Sequence, residues 1–157
     1  MPTRRIILLL ALITAPLPVC AQTNPDTSVV NKYISTQAAR EHGEEYPEAR
    51  KILDGDLNND GTAELVVLYT IEAQNGGNGY VQYLAVFLRQ NGKLTPAARA
   101  IVGGKYNRAV ELESVENGKI LLSTLNYTRK DPACCPSRKG SARYILKAGK
   151  LRQFNPS

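Results

Sequence analysis

Tyr80-Val81-Gln82-Tyr83-Leu84-Ala85-Val86-Phe87-Leu88-Arg89-Gln90-Asn91-Gly92-Lys93-Leu94 is the stretch that decides the fold. Residues 81–88 are apolar on both of the faces that alternate along an extended chain, so a strand here must be covered twice. Asn91-Gly92 then gives the strongest short hairpin signal, because a type I′ turn needs positive φ at both central residues. Asn117-Gly118 repeats that signal, and Gly103-Gly104-Lys105 and Ala148-Gly149-Lys150 read as looser versions of it. Working outward, strands are predicted over 50–54, 64–72, 80–90, 94–102, 108–115, 119–128, 142–147 and 151–154. Gly76-Gly77-Asn78-Gly79 makes a longer connection. Pro96 has no N–H to offer a ladder, which puts its strand at an edge or on a bulge. One helix is expected over 28–42, with Val29, Val30, Tyr33, Ile34 and Ala38 at helical spacing. Asp26 or Thr27 would cap it and His42-Gly43 would end it. The expected class is α+β: one N-terminal helix followed by a curled antiparallel β-meander of about seven to eight strands. The helix and the curling of the sheet would cover 65–71 and 81–88.

Residues 1–21 read as a secretory signal peptide. Arg4 and Arg5 form the basic start, 6–15 the apolar stretch, and Val19-Cys20-Ala21 the cleavage site before Gln22. The apolar run is too short to span a bilayer and no later segment is long enough, so no transmembrane segment is expected. Lipid attachment at Cys20 is the competing reading, but Val19 stands where such signals carry Gly, Ala or Ser. A linker over 22–27 would lead into a single α+β domain, 28–157, in the periplasm or secreted. From Gln22 to Leu88 there are ten acidic and four basic residues; from Arg89 onward there are four acidic and fourteen basic. The chain is therefore dipolar, and no nucleic-acid motif accompanies its basic half. A protein or an anionic envelope ligand is the expected partner, set against a merely solvated basic face.

Asp56-Leu57-Asn58-Asn59-Asp60-Gly61-Thr62-Ala63-Glu64 places oxygen-bearing side chains at alternate positions around a glycine turn. Such alternation wraps a hard cation, and Ca²⁺ is the expected one. Asp56, Asn58, Asp60, the Thr62 carbonyl and Glu64 would be its ligands, in a loop over 54–64. Val67 stands where an EF-hand needs a bidentate Glu, and the residues after Glu64 read as a strand rather than a helix. The site is thus a strand-flanked loop, with weak affinity of ~10⁻⁴–10⁻³ M expected. An Asx-bonded turn without metal is the alternative.

Cys134 and Cys135 are adjacent, between Pro132 and Pro136, and are the only cysteines left once Cys20 is removed. Export favours a disulfide between them. Arg129, Lys130, Arg138 and Lys139 surround the pair; they form a possible anion-binding cluster and would lower a thiol pKa in the reduced state. A structural clamp and a redox centre both remain open. Zinc is disfavoured, since two adjacent thiolates lack companion ligands, and His42, the sole histidine, reads as an exposed helix-terminus residue.

The run Gly55-Asp56-Leu57-Asn58-Asn59-Asp60-Gly61-Thr62-Ala63-Glu64-Leu65 resembles the calcium loops of FG-GAP and integrin-type β-propeller repeats. That resemblance implies Ca²⁺ held at Asp56, Asn58, Asp60 and Glu64, but not a propeller, since the loop occurs once. Together with the strand at 80–87 and Asp131-Pro132-Ala133-Cys134-Cys135-Pro136-Ser137, the chain resembles small exported proteins of Gram-negative bacteria. This resemblance implies a periplasmic bacterial protein and brings no activity with it.

These readings converge on a non-enzymatic binding or structural module stabilised by Ca²⁺ and a vicinal disulfide. The alternative is a periplasmic thiol-disulfide redox protein using Cys134 and Cys135. A hydrolase is the weakest class: no Gly-x-Ser-x-Gly nucleophile motif is present, and His42 would have to serve any triad.

Overall fold

The computed structural model describes residues 25–154. The segment expected to be a signal peptide, its expected cleavage site and Cys20 lie outside the described residues. Helix α1 runs from Pro25 to Arg40, so it starts inside the stretch expected as linker. Proline suits a first helical turn, where its fixed φ is pre-organised and its missing N–H would be unpaired anyway. Asp26 lies in that first turn, where a negative charge meets the positive end of the helix. The helix stops short of residue 42. His42 adopts a left-handed φ of 51°, its N–H donates to Ala39 O at 3.3 Å, and the Gly43 N–H donates to Ala38 O at 3.0 Å. That is a Schellman cap with histidine in the place glycine usually takes.

Nine strands follow: β1 (Glu44–Glu45), β2 (Lys51–Gly55), β3 (Glu64–Glu72), β4 (Tyr80–Gln90), β5 (Lys93–Gly104), β6 (Arg108–Glu116), β7 (Lys119–Asn126), β8 (Arg138–Lys147) and β9 (Lys150–Phe154). They form one antiparallel sheet that is not closed, in the order β1-β3-β4-β5-β6-β7-β8-β9, with β2 also beside β3. The α+β class holds. The extra strand is β1, whose two residues pair with Glu72 and Ile71 and are too few to show a period. Asn91 and Gly92 have φ of 50° and 73°, and Asn117 and Gly118 have 51° and 71°, as type I′ turns require. Ala148 and Gly149, at 50° and 70°, make an equally tight turn rather than a looser one. Pro96 pairs with Phe87 while Ala98 pairs with Val86, so Ala97 is the extra residue of a bulge.

The looser turn expected at Gly103-Gly104-Lys105 falls at 104–107, where the Asn107 N–H donates to Gly104 O at 3.0 Å, but it does not close a hairpin. β5 and β6 share only the pair Gly104↔Arg108, and the Lys105 N–H donates to Tyr80 O at 3.0 Å. With Gly104 at φ 146° and Tyr106 at 63°, the chain swings across from one half of the sheet to the other. Consequently β2–β5 and β6–β9 face each other, with β6 beside β2 and β9 beside β5 but no ladder between them.

The double apolar faces of β3 and β4 follow from this arrangement. Val67, Tyr69, Ile71, Ala85 and Phe87 pack under Val30, Ile34 and Ala38 of α1. Val66, Leu68, Leu84 and Val86 pack against Val110, Leu112, Ile120, Leu122 and Tyr144 of the other half. Each such large side chain contributes about 1.5–3 kcal/mol when fully buried. The end of α1 is also tied to the sheet. The Glu41 carboxylate accepts from Gln74 Nε2 at 2.7 Å and from the Tyr83 hydroxyl, and pairs with Arg99 at 2.6 Å. Arg99 lies 4.7 Å from the centroid of the Tyr83 ring.

Candidate functional site, with a sealed end and an open end

The space between the two halves differs at its two ends. At one end sits the loop of residues 56–64. Leu57 is 5% exposed and joins the inner core, and a Cβ on Gly55 would come 2.3 Å from Val115 Cγ1. The loop therefore seals this end with apolar contact. Asp56 Oδ1 accepts from the Asn59 N–H at 2.7 Å, and its Oδ2 from the Gly61 N–H at 3.0 Å. The Asn58 side-chain oxygen accepts from the Asp60 N–H at 2.9 Å, and Asp60 Oδ1 from the Thr62 N–H at 2.8 Å. The Thr62 N–H, and after it the Asn58 side-chain amide, hold the Asp60 carboxyl below its usual range. Gly61 has φ 82°, a conformation glycine adopts without penalty.

Glu64 is the singular member. It is fully buried, accepts from the Leu57 N–H at 2.8 Å and from Asn58 Nδ2 at 3.4 Å, and forms no ion pair among the described residues. Asn58 Nδ2 also donates to Asp60 Oδ2 at 2.9 Å. An amide nitrogen thus stands between two carboxylates, at the point where positive charge would be most favourable. The all-oxygen donor set suits a hard cation such as Ca²⁺, and the uncompensated buried carboxylate gives the loop a reason to take one. No three acidic, histidine or cysteine side chains converge as a metal cluster among the described residues. The oxygens are turned instead to backbone N–H groups, as in an Asx-bonded turn.

At the opposite end the inner face turns polar. Along β3 the series Val66, Leu68 ends in Thr70, and along β4 the series Val86, Leu84 ends in Gln82, its cross-strand neighbour. Gln82 replaces the missing ladder between the halves: its Nε2 donates to Val110 O at 3.0 Å and its Oε1 accepts from the Val110 N–H at 2.9 Å. A Cβ on Gly103 would fall 2.7 Å from Gln82 Oε1, so this arrangement needs glycine there. Cavities of about 260, 500 and 270 Å³ adjoin Gln82. Tyr46, Thr70 and Tyr80 line one; Thr124, Lys139 and Gly140 line another. Thr70 is 5% exposed, yet its hydroxyl has no hydrogen-bond partner among the described residues. Burial and the nearby Tyr127 phenol push the Tyr80 hydroxyl above its ordinary value.

The cysteine segment connects β7 to β8 at this same end. Cys134 and Cys135 are disulfide-bonded and exposed. Asp131 organises the loop: it accepts from the N–H groups of Thr128 at 2.7 Å and Ser137 at 3.0 Å, and from the Ser137 hydroxyl at 2.7 Å. Those bonds lower its carboxyl to about 2. Tyr127 donates its hydroxyl to Ala133 O at 2.8 Å. Arg129, Lys130, Arg138 and Lys139 are exposed, and their side chains are in no ion pair among the described residues. His42 is exposed at the helix end.

Thus the loop residues Asp56, Asn58, Asp60, Thr62 and Glu64 are brought together, and the cysteine pair and its basic neighbours form a second cluster far along the sheet from them. Sequence reasoning missed the cleft around Gln82. Its only signal was a pair of polar residues, Thr70 and Gln82, inside two otherwise apolar strands. Comparison of the chain with protein-family models, curated proteins and solved structures gives no match. No helix among the described residues is long and apolar enough to cross a membrane.

Proposed function

We propose that the chain is an exported, non-enzymatic binding module whose 56–64 loop holds Ca²⁺ as a structural ion. The observation that carries the ion is Glu64, a fully buried carboxylate with neutral hydrogen-bond donors and no counter-cation. Binding is supported by the cations Arg129, Lys130, Arg138 and Lys139, which are in no ion pair among the described residues and suit an anionic envelope ligand or an acidic protein surface; Lys139 also lines the open cleft around Gln82. The ion would seal one end of the curled sheet and leave the other free. Titration calorimetry of Ca²⁺ into the mature chain tests the first half: one site in the wild type, none in Asp56→Ala or Asp60→Ala. Sedimentation with anionic and zwitterionic vesicles tests the second. Binding to anionic vesicles alone that is lost when the four cations are replaced by Glu supports the reading, and indifference to the replacement removes it.

A second reading, thiol-disulfide exchange at Cys134 and Cys135, is favoured by the exposure of both residues. Rapid, reversible reduction by glutathione at periplasmic poise would promote it.

A further inference from the structure

The open end of the sheet carries a more specific chemistry than its charge. We propose that the cleft around Gln82 binds a neutral saccharide, with Tyr46 and Tyr80 offering ring surface to the sugar's C–H faces and Thr70, Gln82 and Thr124 meeting its hydroxyls. The inference rests on the reading of the chain as a binding module and names the ligand class of its cleft.

Thr70 is the first argument. Its hydroxyl is buried and has no partner among the described residues, and Thr70 lines the cavity. A buried polar group left unpaired is costly, so the partner must come from the cavity side. Gln82 spends one amide hydrogen and one carbonyl lone pair on Val110, which leaves one of each for a ligand. Thr124 accepts from Asn126 Nδ2 at 3.0 Å and keeps its own O–H to donate. Donors and acceptors thus occur together on uncharged groups, which is what a sugar hydroxyl, itself donor and acceptor, requires.

Size and charge agree. The two cavities of about 270 and 500 Å³ fall near the range of small-molecule sites and far exceed one water. Glu48, Glu72 and Glu111 share the rim with Arg50, Lys51 and Lys139. Charges of mixed sign do not draw a polyanion into the cleft, whereas a neutral polyol is indifferent to them.

The test is titration of the mature chain with cellotetraose, chitotetraose and maltotetraose, with tetragalacturonate as the acidic arm, read by NMR of the tyrosine and threonine signals. Binding of at least one neutral sugar is expected. Thr70→Val should weaken it about five- to tenfold, the loss of one hydrogen bond, while leaving the melting temperature unchanged or higher, because the orphan hydroxyl is gone. Tyr80→Ala should weaken binding further, and Arg152→Ala on β9, which lines none of the three cavities, should not. Absence of binding by all three neutral sugars would overturn the inference. So would affinity unchanged in Thr70→Val and Tyr80→Ala, or a lower melting temperature in Thr70→Val, the sign of a hydroxyl held by structural water. Binding of the acidic arm alone would also overturn it while leaving the module reading in place. A melting temperature indifferent to Ca²⁺ bears only on the 56–64 loop.

Discussion

Glu64→Gln isolates the charge of the buried carboxylate without changing its shape. Glu64 accepts from the Leu57 N–H at 2.8 Å, a bond the glutamine oxygen can keep, and its uncompensated charge is gone, so the metal-free variant should melt at or above the wild type. Calcium separates them. A ligand that binds only the folded state stabilises it by RT ln(1 + [L]/Kd). At about 10 mM Ca²⁺ and a Kd of ~10⁻⁴–10⁻³ M, this gives roughly 1.4–2.7 kcal/mol. For a domain of this size, that raises the melting temperature by about 5–10 °C. Differential scanning calorimetry with EDTA and then with excess Ca²⁺ should show this gain in the wild type and about 1 °C or less in Glu64→Gln. Asp26→Ala, which breaks the surface pair with Arg89 at 2.7 Å, should lower both curves slightly and keep the gain. A wild type that melts identically with and without calcium, or a Glu64→Gln variant that retains the full gain, would refute the assignment.

Three further outcomes follow from the geometry. Gly55→Ala should cost about 1–3 kcal/mol in urea denaturation, because the new methyl meets Val115 Cγ1 at 2.3 Å and the core must shift. The folded Asp131 carboxyl is held at about 2 against an ordinary 3.8, chiefly by the Thr128 N–H; its contribution is present above the ordinary value and lost as pH falls through about 2. Hydrogen exchange of the Thr128 and Ser137 amides should therefore accelerate across that interval, and Asp131→Asn should abolish the acid dependence. Burial, then the bond to Glu41, pushes Tyr83 up to about 12 from 10.0, so its contribution to stability is full below 10 and lost as pH rises through 12. Ultraviolet titration of Glu41→Gln should show one tyrosine ionising at lower pH than in the wild type.

What the sequence made legible was local. Asn91-Gly92 and Asn117-Gly118 announced their turns because positive φ is a property of those side chains and little else. The bounds of β3 and β4 follow from apolar runs cut off by Glu72 and Gln90. The beginning of β8 was missed because Arg138-Lys139-Gly140-Ser141 has no apolar face; it pairs with 123–126 at the end of the sheet where the inner surface is polar. The same polarity hid the cleft, which exists only because β5 and β6 part after one pair, a separation set by contacts distant in sequence. The 56–64 loop was readable as oxygen spacing. That Glu64 would be buried without a cation was not, since it depends on Leu57 reaching the core. The pair His42-Gly43 was readable as the end of the helix; that His42 takes the left-handed conformation, while Gly43 is fixed by the approach of Glu72 O at 2.7 Å to its would-be Cβ, was not.

The bulge at Ala97 has a bearing on how the chain behaves at high concentration. Most of the outer edge of β5 has no strand partner among the described residues, and an open edge is a template on which another copy can add a strand. Pro96 removes one of the N–H groups such an addition would need, the extra residue twists the ladder away from a flat register, and exposed Arg99, paired with Glu41, stands two residues further on. Replacing Pro96 by valine and deleting Ala97 would straighten that edge, turning the seam that keeps the sheet from closing into a point of self-association.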